Sequence, residues 1–362
     1  MATESSHSII YTNEKSEAIR VAVVQAEPVY FDLQGAVGKA IRIIEDAANQ
    51  GAQLVAFPEV WIPGYPYWIW TRGCDIEMVQ RYIKNSLSIG SDEMKRICAA
   101  AAKNSITVVL GYSERDGNSL FLGQCHIGSD GVIKMKRRKI KPTHMERTIF
   151  GDGGGDSLLN VVNDEKIGAK IGSLCCWEHS QPLLKFHTHS QGEEIHIAAW
   201  PAQLPHEEGK GLWSTANEGS LNLSVTYAVE GGCYVLHACS IISKNCVDLM
   251  KTHEGDQYYA SGGGGSCIIR PDGKIISERL PDDVEGLIVA DLDLNDILRS
   301  NAYLDTQGHY SRPDLLWLGS DTRAKPRVRP DQYERALIVT NDNIPVTRSL
   351  VRYLIKYNYL NK

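Results

Sequence analysis

Short apolar runs alternate with amphipathic segments along most of the chain. Runs rich in β-branched residues predict strands at 20–28, 52–59, 106–114 and 169–177. Three further runs follow, "EIHIAAWP", "CYVLHACSII" and "GLIVADLDL". Between the runs, Val37, Ile41, Ile44 and Ala48 share one face of a helix predicted over 35–50. Other helices are predicted near 75–86, 91–103, 181–191 and 215–231. Strands that alternate with helices predict an α/β fold.

Two segments predict hairpins instead of crossover connections. "SLFLGQCHIGSDGVIKMKRRKI" and "GSCIIRPDGKIISERL" carry the turn sequences "SDG" and "PDG", so the sheet is expected to be mixed. No linker divides residues 18–310, which we predict to form one catalytic domain after an N-terminal segment, 1–17. The tail, 311–362, is rich in Arg, Pro and Asp, and we predict that it takes part in oligomer contacts.

Composition narrows the class of protein. The chain has 362 residues and 43% hydrophobic content, enough for a sizeable core. Its net charge of -6 argues against nucleic-acid and anionic membrane partners. No apolar stretch reaches about 18 residues and the N-terminus lacks a signal-peptide pattern, so we expect a soluble, cytoplasmic protein acting on a small molecule. The nine cysteines lack disulfide-framework or zinc-site spacing, and we expect them to be reduced.

Polar residues follow several apolar runs, where α/β sheets form ligand crevices. Glu59, in "LVAFPEVWIPGYP", is either a solvated turn residue or a buried base whose apolar neighbours raise its pKa. In "KMKRRKIKPTHMER", Lys139 and Lys141 would share one face of a strand, and alternation does not choose between them. A solvated cationic strand face is the alternative interpretation.

The glycine cluster "GDGGGDS" follows this cationic segment. A phosphate-binding loop is disfavoured because no Walker-type lysine and helix start come after it, and the spacing does not fit a calcium-binding EF-hand loop. We interpret the cluster as a mobile loop.

The stretch "SLCCWEHSQP" contains two adjacent cysteines. A thiol becomes a nucleophile when its pKa is lowered or a base removes its proton, and Ser180 as a helix N-cap would place a helix start nearby. Neighbouring strand residues point to opposite faces, so Cys175 and Cys176 should not share a site. For the same reason a metal site built from both cysteines and His179 is disfavoured.

Taken in order, "FPEVWIPGYP", "RRKIKPTHMERTIFGDGGGD" and "CWEHSQPLLK" resemble the nitrilase superfamily, and within it the nitrilase and cyanide hydratase branch. The resemblance runs from about Arg20 to the segment 308–316. It implies a four-layer α-β-β-α sandwich and dimers that extend into spiral homo-oligomers. The family's Glu-Lys-Cys triad maps onto Glu59, Lys139 and Cys176, with Glu146 as a second acid.

The resemblance also implies a reaction without metal or organic cofactor, in which the partners are a small nitrile and water. Glu59 takes the proton of Cys176 while the thiolate attacks the nitrile carbon to form a thioimidate. Lys139 and the peptide N–H of Trp177 stabilise the developing charge. Water activated by Glu59 releases ammonia and leaves a thioester, and a second water frees the acid. Glu146 orients Lys139 or the water.

Four aromatic residues are candidates for substrate contact: Tyr65, Phe150, Trp177 and Trp200. Aromatic residues at strand ends more often pack in the core, and Trp177 is the preferred candidate because it follows Cys176. The first functional hypothesis is a nitrilase that forms the carboxylic acid. The alternatives are a cyanide hydratase, which stops at the amide, then an amidase or carbamoylase, and a non-catalytic filament-forming protein. The motifs do not separate nitrilase from cyanide hydratase.

Overall fold

A computed structural model describes residues 18–325 of the chain, and its strands form two sheets. The strands are β1 Ile19–Gln25, β2 Leu54–Ala56, β3 Thr107–Asp116, β4 Ser119–Ile127, β5 Ile133–Arg138, β6 Val161–Asp164, β7 Ala169–Cys175, β8 Ile195–Trp200, β9 Tyr234–Cys239, β10 Cys267–Ile269 and β11 Gly286–Leu292. The first sheet has the order β11-β1-β2-β3-β4-β5, and the second has the order β10-β9-β8-β7-β6.

Both sheets are mixed, as predicted. Parallel strands form the centre of each, with β1, β2 and β3 in the first sheet and β7, β8 and β9 in the second. Antiparallel strands complete the edges. The helices are α1 Leu33–Asn49, α2 Ile76–Asn85, α3 Asp92–Lys103, α4 Pro182–His189, α5 Asn217–Gly231, α6 Lys244–Met250 and α7 Asn295–Tyr303.

Strand alternation builds the layers. On β1, Val21 and Val23 pack against residues of the second sheet, including Ile197 of β8. Ala22 and Val24, one position along, belong to the cluster formed with α1 and α3. The outer face of the second sheet packs in the same way against α5, through the residues Leu174, Ala198, Val235, Tyr227 and Ala228. The chain therefore folds as an α-β-β-α sandwich, and the predicted fold is confirmed.

Local predictions agree with the structure at most elements and fail at two. The helix after the cysteines begins at Pro182 with Gln181 at the N-cap, so Ser180 is not the cap. A 3-10 turn, Cys176–Ser180, takes up the residues in between. The "PDG" turn forms, but only a single bridge, Ile269 to Ile275, extends beyond it. That predicted hairpin therefore has one regular strand.

The predicted N-terminal segment, 1–17, and residues 326–362 of the predicted tail lie outside the described residues. The proposed domain boundary near residue 310 stays a prediction. Within residues 18–325, none of the helices combines the length and the apolar character needed to cross a bilayer.

Candidate active site

Close backbone packing fixes the position of Glu59. After β2 the chain continues beside β3, where the Trp61 N–H donates to the Gly111 carbonyl over 3.0 Å. A Cβ on Gly111 would lie 2.2 Å from the Pro58 carbonyl oxygen, so glycine is required for this approach. The Glu59 side chain is buried as a result, and the solvated-turn interpretation is wrong.

Lys139 and Lys141 have different environments. Strand β5 ends at Arg138, so strict alternation does not extend through the two lysines. Lys139 is buried, whereas Lys141 is exposed and pairs with Asp152 over 2.8 Å. The glycine cluster packs on this segment, because a Cβ on Gly153 would lie 2.5 Å from the Arg138 carbonyl oxygen. Gly153 therefore allows the backbone to pack closely against the lysine segment, and this contact does not support the interpretation of the cluster as a mobile loop.

The Lys139 ammonium lies between two buried carboxylates. Its Nζ donates to Glu59 Oε1 over 2.9 Å and to Glu146 Oε2 over 2.8 Å. Burial alone would lower the pKa of Lys139, but the Glu146 and Glu59 charges outweigh it and hold this pKa well above its usual value. Glu146 belongs to a 3-10 turn, His144–Thr148, and also accepts hydrogen bonds from the Thr143 N–H and the Tyr65 hydroxyl, at 2.6 and 2.8 Å. Lys139 is therefore charged and held in one position.

One oxygen of Glu59 has no hydrogen bond. Oε1 accepts from Lys139, while Oε2 is buried and has no partner among the described residues. Burial raises the pKa of Glu59 to about 8, against the opposing effect of Lys139. An unsatisfied buried acceptor is costly and rare, and catalytic sites are one place where it occurs. The oxygen is suited to receive a proton from a neighbouring group.

Cys176 lies directly beside these carboxylates. It follows β7, is 4% exposed, and has a left-handed backbone with φ of 47°. Its sulfur lies within 4.8 Å of an oxygen of Glu59 and an oxygen of Glu146. Burial, reinforced by the Glu59 charge, raises the pKa of the thiol well above its usual value, while Lys139 and the hydrogen bond from the Trp177 N–H lower it. The resting thiol is therefore protonated and needs a base.

Cys175 is the last residue of β7 and is also buried. Burial and the Glu59 charge raise the pKa of its thiol too, so the two pKa shifts do not distinguish the neighbours. Position does distinguish them, because the Cys176 sulfur lies within 4.8 Å of oxygens of the carboxylate pair, Glu59 and Glu146. The Cys175 N–H donates to Glu178 Oε2 over 2.9 Å, which fixes the backbone before the turn Cys176–Ser180, the nucleophile elbow.

Glu178 and Arg137 clamp the nucleophile segment to the lysine segment. The pair is bidentate, with nitrogen–oxygen distances of 2.8 and 2.6 Å, and both side chains are buried. Glu178 also accepts from the backbone N–H groups of Cys175 and Ile140, at 2.9 and 2.8 Å. Ile140 follows Lys139, so one carboxylate connects both reactive segments. Sequence reasoning missed this function of Glu178, although it lies within the quoted "CWE" motif.

By residue type, Glu59, Glu146 and Cys176 could also bind a metal ion. The Lys139 ammonium, at 2.9 and 2.8 Å from the two carboxylates, already supplies the positive charge there. A divalent ion between these oxygens would be repelled by it. The donor set therefore fits a cationic side chain better than a metal.

A comparison with protein families identifies the chain. The carbon-nitrogen hydrolase family model matches residues 20–300. The chain belongs to the carbon-nitrogen hydrolase family. Among curated relatives, an arylacetonitrilase from Aspergillus niger is 54% identical over 316 residues, covering 87% of this chain and 93% of the relative. An arylacetonitrilase from Macrophomina phaseolina is 50% identical over 338 residues, covering 91% of this chain and 98% of the relative.

Solved structures show the same fold. An amidase from Nesterenkonia sp. AN1, carrying a covalent acetamide group on its active site cysteine, has a TM-score of 0.57 and 20% identity. The match covers 79% of this chain and 94% of the amidase. This hydrolase is thus a member of the nitrilase branch that acts on carbon–nitrogen bonds other than peptide bonds. The predicted family, branch and class of enzyme are confirmed.

An aromatic cluster lies beside Glu146 of this hydrolase, because the Tyr65 hydroxyl donates to that carboxylate. Tyr65 and Tyr67 lie 5.9 and 4.6 Å from Tyr258 between ring centroids, and Trp70 lies 5.9 Å from it. Burial raises the pKa of Tyr258 well above its usual value, and the Cys176 charge adds to this effect. Tyr67, Trp70 and Tyr258 were not predicted from the sequence. Tyr258 lies about 80 residues beyond Cys176 in a loop that no motif marks.

The four predicted aromatic residues have different environments. The Tyr65 hydroxyl donates to Glu146, and Phe150 packs edge to face on Tyr82 at 6.1 Å. The Trp200 ring stacks on His179 at 5.3 Å and donates from Nε1 to Ser224 Oγ over 3.2 Å. Trp177 is half-buried. Their contact with substrate stays a prediction.

A cleft of about 730 Å³ lies beside the elbow. Trp177, His144 and Lys141 line it, together with the start of α4 and the segment 318–321. Glu59, Lys139, Glu146 and Cys176 are not among its lining residues. The cleft is therefore not lined by the four reactive side chains themselves.

Proposed function

We propose that the protein is a nitrilase that hydrolyses arylacetonitriles to arylacetic acids and ammonia. Two features support this substrate class. The relatives named above are arylacetonitrilases, and they match this chain along most of both lengths. The rings of Tyr65, Tyr67, Trp70 and Tyr258 form an aromatic cluster, which contacts Glu146 through the Tyr65 hydroxyl and suits an aromatic substrate by offset and edge-to-face contacts.

Cys176 is the proposed nucleophile and Glu59 its general base. Glu59 removes the thiol proton as sulfur bonds to the nitrile carbon, and the same proton passes to the nitrile nitrogen, which gives a thioimidate. The charge on that nitrogen faces Lys139 and the Trp177 N–H. Such fixed donors in a water-poor site stabilise a transition state because they need no reorganisation.

Hydrolysis then proceeds in two steps. Glu59 removes a proton from water as the water oxygen bonds to the thioimidate carbon, and it passes this proton to the nitrogen. The new hydroxyl group then gives its proton to the nitrogen as the carbonyl forms, and the carbon–nitrogen bond breaks to release ammonia. A second water attacks the resulting thioester with loss of a proton to Glu59, and the carbon–sulfur bond breaks as that proton passes to sulfur, which gives the acid and the free thiol. Glu146 holds Lys139 throughout, and its own position is fixed by Thr143 and Tyr65.

The observation that carries the proposal is the free acceptor of Glu59. Oε2 of Glu59 is buried and has no hydrogen bond from any residue that the structure describes. Burial raises the pKa of the Glu59 carboxyl group to about 8, and this group lies close to the protonated Cys176 sulfur. A group whose pKa lies near the operating pH is an efficient general base. Among the described residues Lys139 donates to two carboxylates, so the third hydrogen of its ammonium group is available to the charge on the nitrile nitrogen.

The test is a product analysis with phenylacetonitrile, benzonitrile, an aliphatic nitrile and cyanide, scored separately for acid, amide and ammonia. We expect phenylacetic acid and equimolar ammonia, with phenylacetonitrile the best substrate. Formamide from cyanide, with no acid from the organic nitriles, would instead identify a cyanide hydratase. Turnover of phenylacetamide without any turnover of nitriles would identify an amidase.

We also propose a cytoplasmic homo-oligomer. All nine cysteines are unpaired, which fits a reducing compartment. The α4 surface exposes 70% of Leu183 and 39% of Phe186, a pattern that favours burial against another subunit. Size-exclusion chromatography with light scattering would test it, and a monomer at micromolar concentration would contradict it.

A further inference from the structure

A buried chain of polar side chains runs from the nucleophile elbow into the second helical layer. His179 Nδ1 lies 2.7 Å from the Cys176 carbonyl oxygen, and its Nε2 lies 3.0 Å from His196 Nε2. His196 Nδ1 lies 2.7 Å from Glu193 Oε2. All three side chains are buried, and the proposed mechanism uses none of them.

Hydrogen-bonding rules fix the proton on His179. A carbonyl oxygen only accepts, so His179 Nδ1 carries the hydrogen that faces Cys176. Burial, with His196 nearby, lowers the pKa of His179 well below its usual value, so the ring is neutral. Its Nε2 therefore has no hydrogen and lies 3.0 Å from His196 Nε2.

Glu193 fixes His196 in turn. Its Oε1 accepts from the Tyr227 hydroxyl over 2.5 Å and lies 2.9 Å from His189 Nδ1. Burial alone would raise the pKa of Glu193, but His196 and His189 outweigh it and hold this pKa well below its usual value. The carboxylate is therefore ionised, and it keeps a proton on the facing nitrogen of His196. Burial lowers the pKa of His196, so its neutral ring holds its one proton on Nδ1 and packs edge to face against His179 at 5.2 Å.

The contact of His179 acts on a single peptide group, the one that joins Cys176 and Trp177. The Cys176 carbonyl and the Trp177 N–H belong to one planar peptide and point in opposite directions. His179 holds the carbonyl, so the N–H points to the opposite side, and this N–H lowers the pKa of the Cys176 thiol. Cys176 has a left-handed φ of 47°, which costs free energy in a residue other than glycine and persists only when neighbouring contacts impose it.

We propose that His179 is a positioning residue, which holds the peptide between Cys176 and Trp177 so that the Trp177 N–H faces the charge that develops on the nitrile nitrogen. The Cys176 carbonyl, which can only accept, determines that Nδ1 of His179 carries the proton. The inference rests on the proposed attack by Cys176. It adds a reason for the histidine of the "CWEH" sequence, which lies three residues after the nucleophile.

A matched pair of variants tests it. In His179→Asn the side-chain amide nitrogen can replace Nδ1 as the donor, whereas His179→Leu removes the donor at similar volume. For folded His179→Leu we expect kcat on phenylacetonitrile to fall about 100-fold, the usual effect of losing one fixed donor, with little change in KM. His179→Asn should recover most of kcat. The control is His126→Asn, because His126 is buried in the first sheet against Asp164 and should leave kcat unchanged.

Crystal structures of the two variants supply a readout that does not depend on turnover. We expect the 176–177 peptide to rotate in His179→Leu, so that the Trp177 N–H leaves the sulfur, and to keep its position in His179→Asn. An unrotated peptide in His179→Leu would overturn the inference, as would equal loss of kcat in both variants. If the parent enzyme turns over no nitrile, the proposed function fails, and the rotation still decides the positioning role.

Discussion

Two buried ion clusters lie at the end of strand β5, and they differ in whether every carboxylate oxygen has a hydrogen-bond partner. The Arg137–Glu178 cluster is fully satisfied, since both carboxylate oxygens accept from the guanidinium and each accepts a backbone N–H. Within residues 18–325, the Lys139 cluster leaves Glu59 Oε2 without a hydrogen-bond partner. A saturated cluster fixes positions, whereas an unsaturated one retains the capacity to accept a proton. One part of the site thus serves as scaffold and the other as the reactive centre.

The largest expected effect separates the two cysteines at the boundary between these clusters. Cys176→Ala should lower kcat about 10⁴-fold or more, because the covalent intermediate cannot form. Cys175→Ala is the matched control and should keep most activity, since the close group of Glu59, Glu146 and a cysteine contains Cys176 and not Cys175. Ammonia release by samples with equal thermal stability measures both. Equal loss of ammonia release in the two variants would contradict the assignment of Cys176, and not Cys175, as the nucleophile.

Glu59→Gln tests the reactive cluster next. The amide cannot take the thiol proton, so we expect kcat to fall about 10³-fold, the effect of losing a general base. Lys139 keeps Glu146 as its partner, so the fold should persist. Circular dichroism monitors folding alongside the kinetics. A loss below tenfold would assign the base to another group.

The pH dependence should follow Glu59. Its pKa is about 8, and only the ionised form accepts a proton. The value of kcat/KM should therefore rise with pH and level off above about 8, with close to tenfold gain per unit well below that pH. A decline in kcat/KM between pH 6 and 8 would contradict the proposed base.

Stability should change in the opposite direction over the same range. The folded pKa of Glu59 exceeds its ordinary value, so folding favours the protonated form and this contribution is lost as pH rises through about 8. The free energy of unfolding should therefore fall more steeply with pH in the parent than in Glu59→Gln. Denaturant titrations at several pH values measure the difference.

Breaking the scaffold cluster should affect stability first. Arg137→Met leaves the Glu178 carboxylate buried without its cation, which should cost about 3–5 kcal/mol in the free energy of unfolding. Glu178 would still accept from Cys175 and Ile140. A double variant, Arg137→Met with Glu178→Leu, should recover only part of the loss, because those two N–H groups lose their acceptor. Full recovery would show that the clamp is dispensable.

The smallest effect is expected at the exposed lysine of the same segment. Lys141 pairs with Asp152 at the surface, with more than half of each side chain exposed. Lys141→Ala should change the free energy of unfolding by less than about 0.5 kcal/mol and leave kcat within error. A large loss of activity would mean that this lysine also serves the reactive centre.

The sequence predicted most strands and the main helices, because apolar runs carry those signals. The resemblance named Glu59, Lys139, Glu146 and Cys176, which lie together in the structure, and their catalytic roles stay a prediction. The sequence alone left Lys139 and Lys141 unresolved, since alternation cannot show where a strand ends. It could not reveal Tyr258 or the contacts of His179 and Glu193, which depend on loops and layers brought together only by the fold. The N-cap prediction at Ser180 was wrong because a 3-10 turn precedes α4.

The central claim is that Cys176 carries the acyl group during hydrolysis of an arylacetonitrile. The most direct measurement is peptide mass mapping after rapid acid quenching of enzyme saturated with phenylacetonitrile. We predict a phenylacetyl adduct on Cys176 that disappears when substrate is exhausted and is absent in Cys176→Ala. A transient adduct on Cys175 or another residue, with Cys176 unmodified during turnover, would contradict the claim.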